Sequence, residues 1–500
     1  MTLAEVFTGV GIRGEVPSAV AGLSVAGLDY DSRRVGPGYL FFAFAGQRAD
    51  GRQFVNDAMA RGALGIVSEL ARPAGFDGTW IEVEHGRRAM SIAARNFYAQ
   101  AAGAAQIAGI TGTNGKTTTS YIADSILRAA GWPTALVGTI EYRVAGRVRP
   151  AVNTTPESLD LYRMLDELAV SGGHHATMEV SSHALALGRV YGVPFHTAVF
   201  TNLTRDHLDF HGTMENYFAA KQLLFAGDGA PPPAKVVLNA DDEYARRIET
   251  AAGSEVFWYG IEAEEPPSPG RFLRAVNILQ GFSGLLFAVT FEAHYVELAS
   301  PLAGSINVYN ILAACAVGLA FGLDWKTIAH GVAECRTVPG RFERVQEGQP
   351  FLVVVDYAHT DDALRNVIET ARVLKPRRVI TLFGCGGDRD RAKRPLMGAA
   401  ASASDFVILT SDNPRSEDPL AIMNDAMVGL GKHDTPYVVE PDRARAIRRA
   451  IEEAREGDIV ILAGKGHETY QVLKDRTIHF DDREVASEVL RSFGYARGKS

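Results

Sequence analysis

The run Thr111-Gly112-Thr113-Asn114-Gly115-Lys116-Thr117-Thr118 carries the residue types needed to hold a chain of phosphates. Glycines let backbone N–H groups converge on an anion, a lysine ammonium meets the terminal phosphates, and the next hydroxyl can ligate a magnesium ion. An apolar run, Ile107 to Ile110, precedes the segment, and apolar residues at helical spacing, Ile122, Ile126 and Leu127, follow it. Strand, tight loop and helix are expected in that order. The loop is a variant of the common G-x-x-x-x-G-K-T pattern: Ile110 stands where the first glycine belongs, and Gly109 lies one place early. The chemistry it predicts is binding of a nucleoside triphosphate. A glycine-rich turn with no ligand is the alternative, and Gly-Lys-Thr-Thr at a helix start speaks against it.

Further motifs hold carboxylates and imidazoles. Glu179-Val180-Ser181-Ser182-His183 ends one apolar run, and Thr201 to Gly212, with Arg205, Asp206, His207, Asp209 and His211, follows the next. Beside a phosphate loop, such groups could hold the ions that bridge phosphates and a second substrate. Any one of these histidines taken alone reads more readily as a structural hydrogen-bonding residue than as a ligand. Toward the C-terminus four apolar runs each end in a polar or glycine-rich motif: DYAHT, GCGGDRDRAKRP, TSDNPR and AGKGHE. In an open parallel sheet that is where ligands bind, beyond the carboxyl ends of the strands.

The elements that must position these groups point to an α/β protein of three domains, because 500 residues exceed what one hydrophobic core supports. Residues 1–102 read as a small α/β unit, 103–337 as a mostly parallel sheet around the phosphate loop, and 338–500 as a doubly wound, Rossmann-like unit. Leu285 to Leu298 reads as antiparallel strand, and Asn310 to Leu319 as a buried, alanine-rich helix. A net charge of −8 argues against nonspecific nucleic-acid or anionic-membrane partners. Local basic groups are then sites for small anions. The three cysteines, Cys315, Cys335 and Cys385, have no metal-ligand spacing and no paired framework, which suggests a reducing compartment. No apolar stretch reaches about 18 residues, and the N-terminus lacks the regions of a signal peptide. A cytoplasmic protein without membrane insertion is expected.

Taken in order, GTNGKTTT, NTTP (153–156), MEVSSH (178–183), FTNLTRDHLDFHG (200–212), AAK (219–221), NADD (239–242), GSINVYN (304–310), PGRFE (339–343), DYAHT (356–360), FGCGGDRDRAKRPLMG (383–398), SDNPR (411–415) and AGKGHE (463–468) resemble the Mur ligase family over nearly the whole chain. The match is closest to members that add meso-diaminopimelate to UDP-N-acetylmuramoyl-L-alanyl-D-glutamate. The resemblance implies ATP and Mg²⁺ as cofactors, with transfer of the γ-phosphoryl group to a carboxylate and displacement of phosphate by an amine. It implies that Gly112, Thr113, Asn114, Gly115, Lys116, Thr117, Thr118, Asn310, Arg341 and Asp356 hold the nucleotide, with Lys116, His207 and Lys221 catalytic. Thr117, Glu179, His207 and Lys221 would serve the metal, Lys221 as a carbamate, since an ammonium beside Mg²⁺ would be repelled.

By the same resemblance, Ser32, Gln47, Arg48 and Ala49 match uridine contacts, and Asn153, Thr154, Thr155, Ser181 and Arg189 match contacts to the muramoyl-peptide. Arg389, Asp412, Asn413, Pro414, Arg415, Gly464 and Glu468 match the diaminopimelate site. A guanidinium grips a carboxylate through two parallel hydrogen bonds, so Arg415 suits the carboxylate by which diaminopimelate differs from lysine. Two departures stand out: Leu187 replaces a usual glutamine, which weakens one contact, and Asp361 replaces a usual proline, which is expected to alter a turn. A lysine-adding or folylpolyglutamate-type ligase is the nearer alternative, and a non-ligase P-loop ATPase the more distant one. The DNPR motif and the Asp31-Ser32-Arg33 motif speak against the former, and AAK, DNPR and GKGHE against the latter.

Overall fold

The computed structural model describes residues 1–46, 50–281 and 284–495. The first sheet has four parallel strands in chain order, Gly27–Asp29, Tyr39–Phe42, Gly65–Ser68 and Trp80–Glu82. Its strands read as continuous apolar runs because both faces are covered: Leu40 and Phe42 pack into one cluster, Phe41 and Ile66 into another. The unit docks on the helix Ser158–Val170 of the next one. There Arg163 donates to Leu28 O at 2.6 Å and Asp29 Oδ2 at 2.7 Å, and the Tyr30 hydroxyl donates to Asp160.

The helices Gly86–Phe97 and Ala99–Ala104 lead into the central sheet of 11 strands. Gln106–Thr111 lies at its middle, flanked in parallel by His175–Glu179 and Phe195–Phe200. Parallel pairing continues through Lys235–Asn239, Glu255–Gly260 and Arg271–Gly281 on one side and Thr134–Val137 on the other. Both edges turn antiparallel. The stretch from Leu285 to Leu298 is two strands, Gly284–Phe291 and His294–Ser300, because Glu292, at φ 51°, reverses the chain and pairs Phe291 with His294. Helices Lys116–Ala129 and Ser305–Ala320 bury Ile122, Ile126, Val308 and Ile311 against one face. The small residues of the second helix allow that close packing.

The third sheet runs Glu343–Val345, Leu352–Asp356, Ile459–Ala463, Val379–Cys385, Phe406–Ser411, Tyr437–Glu440, parallel except for its first strand. Alternate residues feed two cores: Val354 and Phe383 pack on one face, Val353 and Leu382 on the other. That is a doubly wound arrangement, and it brings Asp356, Cys385, Ser411 and Ala463 to one edge. Asp361 does not alter a turn. It is the first residue of the helix Asp361–Val373, capped by Thr360, a place that suits proline or an acid equally well.

Candidate active site

The phosphate loop is shaped by its neighbours. Thr113 N–H donates to Asn202 O at 2.8 Å, Asn114 N–H to Asn202 Oδ1 at 2.9 Å, and Thr201 Oγ1 to Asn114 O at 2.6 Å. Gly112 takes φ 144°, and a Cβ there would run into the Thr201 hydroxyl and the Asn202 backbone. Lys116 Nζ turns back to Gly112 O at 3.0 Å and Thr113 O at 2.9 Å. Lys221, from the helix Met214–Ala226, is 1% exposed, reaches the same Gly112 O at 2.7 Å and sits over the Tyr217 ring. Burial lowers the Lys116 ammonium, and burial together with the charge of Lys116 holds Lys221 well below the ordinary lysine range.

Glu179 ends its strand buried beside the helix start. Thr117 Oγ1 donates to Glu179 Oε2 at 2.9 Å, and Thr139 supplies its N–H to Oε1 at 2.7 Å and its hydroxyl to Oε2 at 3.1 Å. Arg341 crosses from the third unit to Thr117 Oγ1 at 3.2 Å, and Asp362 accepts from Asn114 Nδ2 at 2.9 Å. Asn310 accepts from Thr119 at 3.3 Å, and Asp356 accepts backbone N–H groups from Phe342 at 2.7 Å and Ala358 at 2.8 Å. Burial raises the Asp356 carboxyl against the pull of Arg341. Gly112 to Thr118, Glu179, His207, Lys221, Asn310, Arg341 and Asp356 line a single cavity of about 270 Å³.

A second cavity of about 770 Å³ adjoins it. Asn153, Thr154, Thr155, Ser181, Arg189, Arg389, Asp412, Asn413, Arg415, Gly464 and Glu468 are on its walls. Thr139, Thr154, Ser181, Asp206, His207, Tyr357 and His359 line both cavities. At that seam burial pulls His207 down to about 4. Burial also opposes ionisation of Asp206, but His207, His359 and Lys393 outweigh it and hold the carboxyl below its usual range. Arg189 is held by Glu157 at 3.2 Å and Thr155 O at 3.3 Å, and Leu187 closes the short helix Ser182–Ala186. Arg415, at φ 52°, is turned so that its guanidinium donates to Gly387 O at 2.8 Å.

Two proposed contacts fall outside both cavities. Ser32 is buried in a turn of 3₁₀ helix, Ser32–Arg34, and Pro414 backs the loop with its carbonyl against Gly387. Gln47, Arg48 and Ala49 lie outside the described residues. Sequence reasoning did not single out Thr139, Tyr217 or Asp362. Thr139 and Asp362 act through Glu179 and Asn114, distant in sequence, and Tyr217 through Thr113 at 3.2 Å as well as through Lys221 on its own helix; a lone threonine, tyrosine or aspartate carries no local signal.

The chain matches the Mur ligase family catalytic domain over residues 24–98, the Mur ligase middle domain over 110–318 and the Mur ligase glutamate ligase domain over 340–466. The chain belongs to the Mur ligase family. Two Mur ligase relatives are each named UDP-N-acetylmuramoyl-L-alanyl-D-glutamate–2,6-diaminopimelate ligase. The protein of Solibacter usitatus is 64% identical over 99% of both chains, and that of Geobacillus thermodenitrificans is 46% identical over 96% of both. A solved Mur ligase structure of the same title superposes with a TM-score of 0.71 at 32% identity, covering 99% of this chain and 100% of the other.

Proposed function

We propose that this Mur ligase is an ATP-dependent enzyme that joins meso-diaminopimelate to UDP-N-acetylmuramoyl-L-alanyl-D-glutamate through an acyl phosphate. One observation carries the reading: the cavity holding Lys116 and Lys221 and the cavity holding Arg415 share a wall at Thr154, Ser181 and His207. A triphosphate in the first and an acid and an amine in the second would meet there. The glutamyl carboxylate oxygen attacks the γ-phosphorus and ADP leaves. The amine nitrogen then attacks the acyl carbon, and the C–O bond to phosphate breaks.

The residues fit these steps. Lys116 and the loop N–H groups offset charge on the transferred phosphoryl group, and Arg341 brings a further cation from the third unit. Among the described residues no group of three or more His, Cys, Asp or Glu is arranged around a metal. The paired Thr117 hydroxyl and Glu179 carboxylate still suit Mg²⁺, which takes few protein oxygens and completes its shell with phosphate and water. Thr117, Glu179, His207 and Lys221 would hold it. When bound, it neutralises charge between the phosphates. Lys221 fits that set only as a carbamate, and burial beside Lys116 favours the neutral amine that reacts with CO₂.

At the acceptor end, Arg415 and Arg389 offer guanidinium groups to a carboxylate that diaminopimelate has and lysine lacks. With lysine those two guanidinium groups lose their carboxylate partner, which weakens binding of that amine. A cytoplasmic setting goes with this reading, and no helix among the described residues is long and apolar enough to cross a membrane. The test is to incubate the protein with ATP, UDP-N-acetylmuramoyl-L-alanyl-D-glutamate and either meso-diaminopimelate or L-lysine, and to weigh the product. The diaminopimelate adduct is expected, with phosphate release dependent on the sugar-dipeptide. A lysine adduct at equal rate, or phosphate release without either substrate, overturns the proposal.

A further inference from the structure

Lys465 is 0% exposed, an uncommon state for a lysine, and it stands between acidic groups. Its Nζ lies 3.1 Å from Glu468 Oε2, 3.5 Å from Asn413 Oδ1 and 3.8 Å from Asp412 Oδ1. The cluster is closed on itself: Asn413 Nδ2 donates to Glu468 Oε2 at 2.9 Å, and Val472 N–H fixes Asn413 Oδ1 at 2.9 Å. Gly464 lets the backbone pass close to Asp412, where a Cβ would press on Oδ2 at 3.0 Å. Asp412 Oδ1 is buried with no hydrogen-bond donor among the described residues. Asp412, Asn413 and Glu468 open onto the second cavity, while Lys465 sits behind them.

We propose that Lys465 is a positioning residue for the acceptor amino acid, its buried ammonium holding Asp412, Asn413 and Glu468 in one arrangement with a single net negative charge toward the ligand's distal ammonium. The inference rests on the acceptor reading above and deepens it. Without the lysine, two neighbouring carboxylates share a poorly solvated wall and one takes up a proton, so the single net negative charge remains but one carboxylate acceptor and the fixed arrangement are lost. The tendency is already present in Glu468, whose carboxyl is raised by burial and by Asp412 against the pull of Lys465 and Asn413. The other ionisable groups around it do not replace the lysine. Tyr357 and Tyr470 face it as phenols, Cys385 as a thiol raised by burial and His467 as an imidazole lowered by burial, while the Arg443 guanidinium is committed to Asp482 and that of Arg415 donates to Gly387 O.

The experiment is steady-state kinetics of the full-length enzyme across neutral and mildly acidic pH, wild type first. Lys465→Met should raise KM for meso-diaminopimelate about tenfold or more, leave KM for ATP unchanged, and move the acidic limb of kcat/KM to higher pH. Lys465→Arg, which keeps the charge, should hold that limb near the wild-type position. If Lys465→Met gives no folded protein, Lys465→Gln replaces it in the comparison. An unmoved limb in the charge-removing variant, or KM rising equally for every substrate, overturns the role of Lys465. Absence of diaminopimelate turnover in the wild type instead defeats the acceptor reading on which it stands.

Discussion

Lys116 and Lys221 donate to one acceptor, the Gly112 carbonyl, at 3.0 and 2.7 Å. Two ammonium groups on one oxygen repel each other, and Lys221 is shut off from the solvent that would spread its charge. Lys116 is needed positive by a triphosphate, so the strain falls on Lys221, the more deeply lowered of the two. Its neutral amine is the form that adds CO₂, and the product carries the opposite charge. Carbamylation would thereby turn the repulsion into an attraction.

The expected outcome is a carbamate on Lys221. Enzyme equilibrated with ¹³C-bicarbonate should show one carbamate carbon resonance that disappears in Lys221→Met. The same variant should lose about 10–100-fold in turnover. A wild-type spectrum without that resonance removes the modification from the mechanism.

Arg415 gives the second prediction. Its left-handed backbone and its hydrogen bond to Gly387 O set the guanidinium before any ligand arrives. Arg415→Ala should cost about 10–100-fold in kcat/KM for meso-diaminopimelate, as expected of a charged hydrogen-bonded pair, and leave ATP binding by calorimetry unchanged. Arg415→Lys should rescue little, since an ammonium cannot form the two parallel bonds. Unaltered diaminopimelate kinetics in Arg415→Ala would assign the carboxylate to another group.

The legible parts of this chain are those whose chemistry demands particular residues at short spacing. Gly112 to Thr118 announced a phosphate loop because strand, turn and helix all fall within one local segment, and Asp412 to Arg415 sits directly after an apolar run. The hairpin turn at Glu292 is not legible, since an acid in the left-handed region leaves no sign in an otherwise strand-like run. Asp361 reads as a turn residue in the sequence because a helix start depends on the Thr360 cap and on packing behind it. Thr139 and Lys465 matter through Glu179 and Asp412, partners brought near only by the sheets.

The third prediction concerns acid. His175, His207 and His211 are each pulled by burial to about 4, from an ordinary 6.5, and His467 to about 3. The unfolded chain then binds more protons than the folded one between those values. Stability is fully present above the unfolded value and declines as pH falls from about 6.5 toward 4. Melting temperature without ligands should drop through that window. His175→Phe, which keeps the stack on Trp132, should flatten part of the slope, and a melting temperature constant through the window would refute the assignment.

The last prediction is about what holds the acceptor edge together. Arg443 and Asp482 are both 0% exposed, paired at 2.6 Å, and the guanidinium also donates to Ala463 O at 2.9 Å and Ser411 O at 3.5 Å. Those carbonyls end the two strands that carry the Asp412 and Gly464 loops, so one buried cation ties them. Removing it leaves Asp482 as an unpaired buried charge, which costs about 3–5 kcal/mol, far beyond an exposed ion pair. Arg443→Met should therefore destabilise by that amount in urea unfolding. Arg443→Met with Asp482→Leu should recover much of the stability, since no charge stays uncompensated. Its diaminopimelate KM should still be raised, because nothing then spans the two carbonyls. A double variant with wild-type KM would show that sheet pairing alone places the loops.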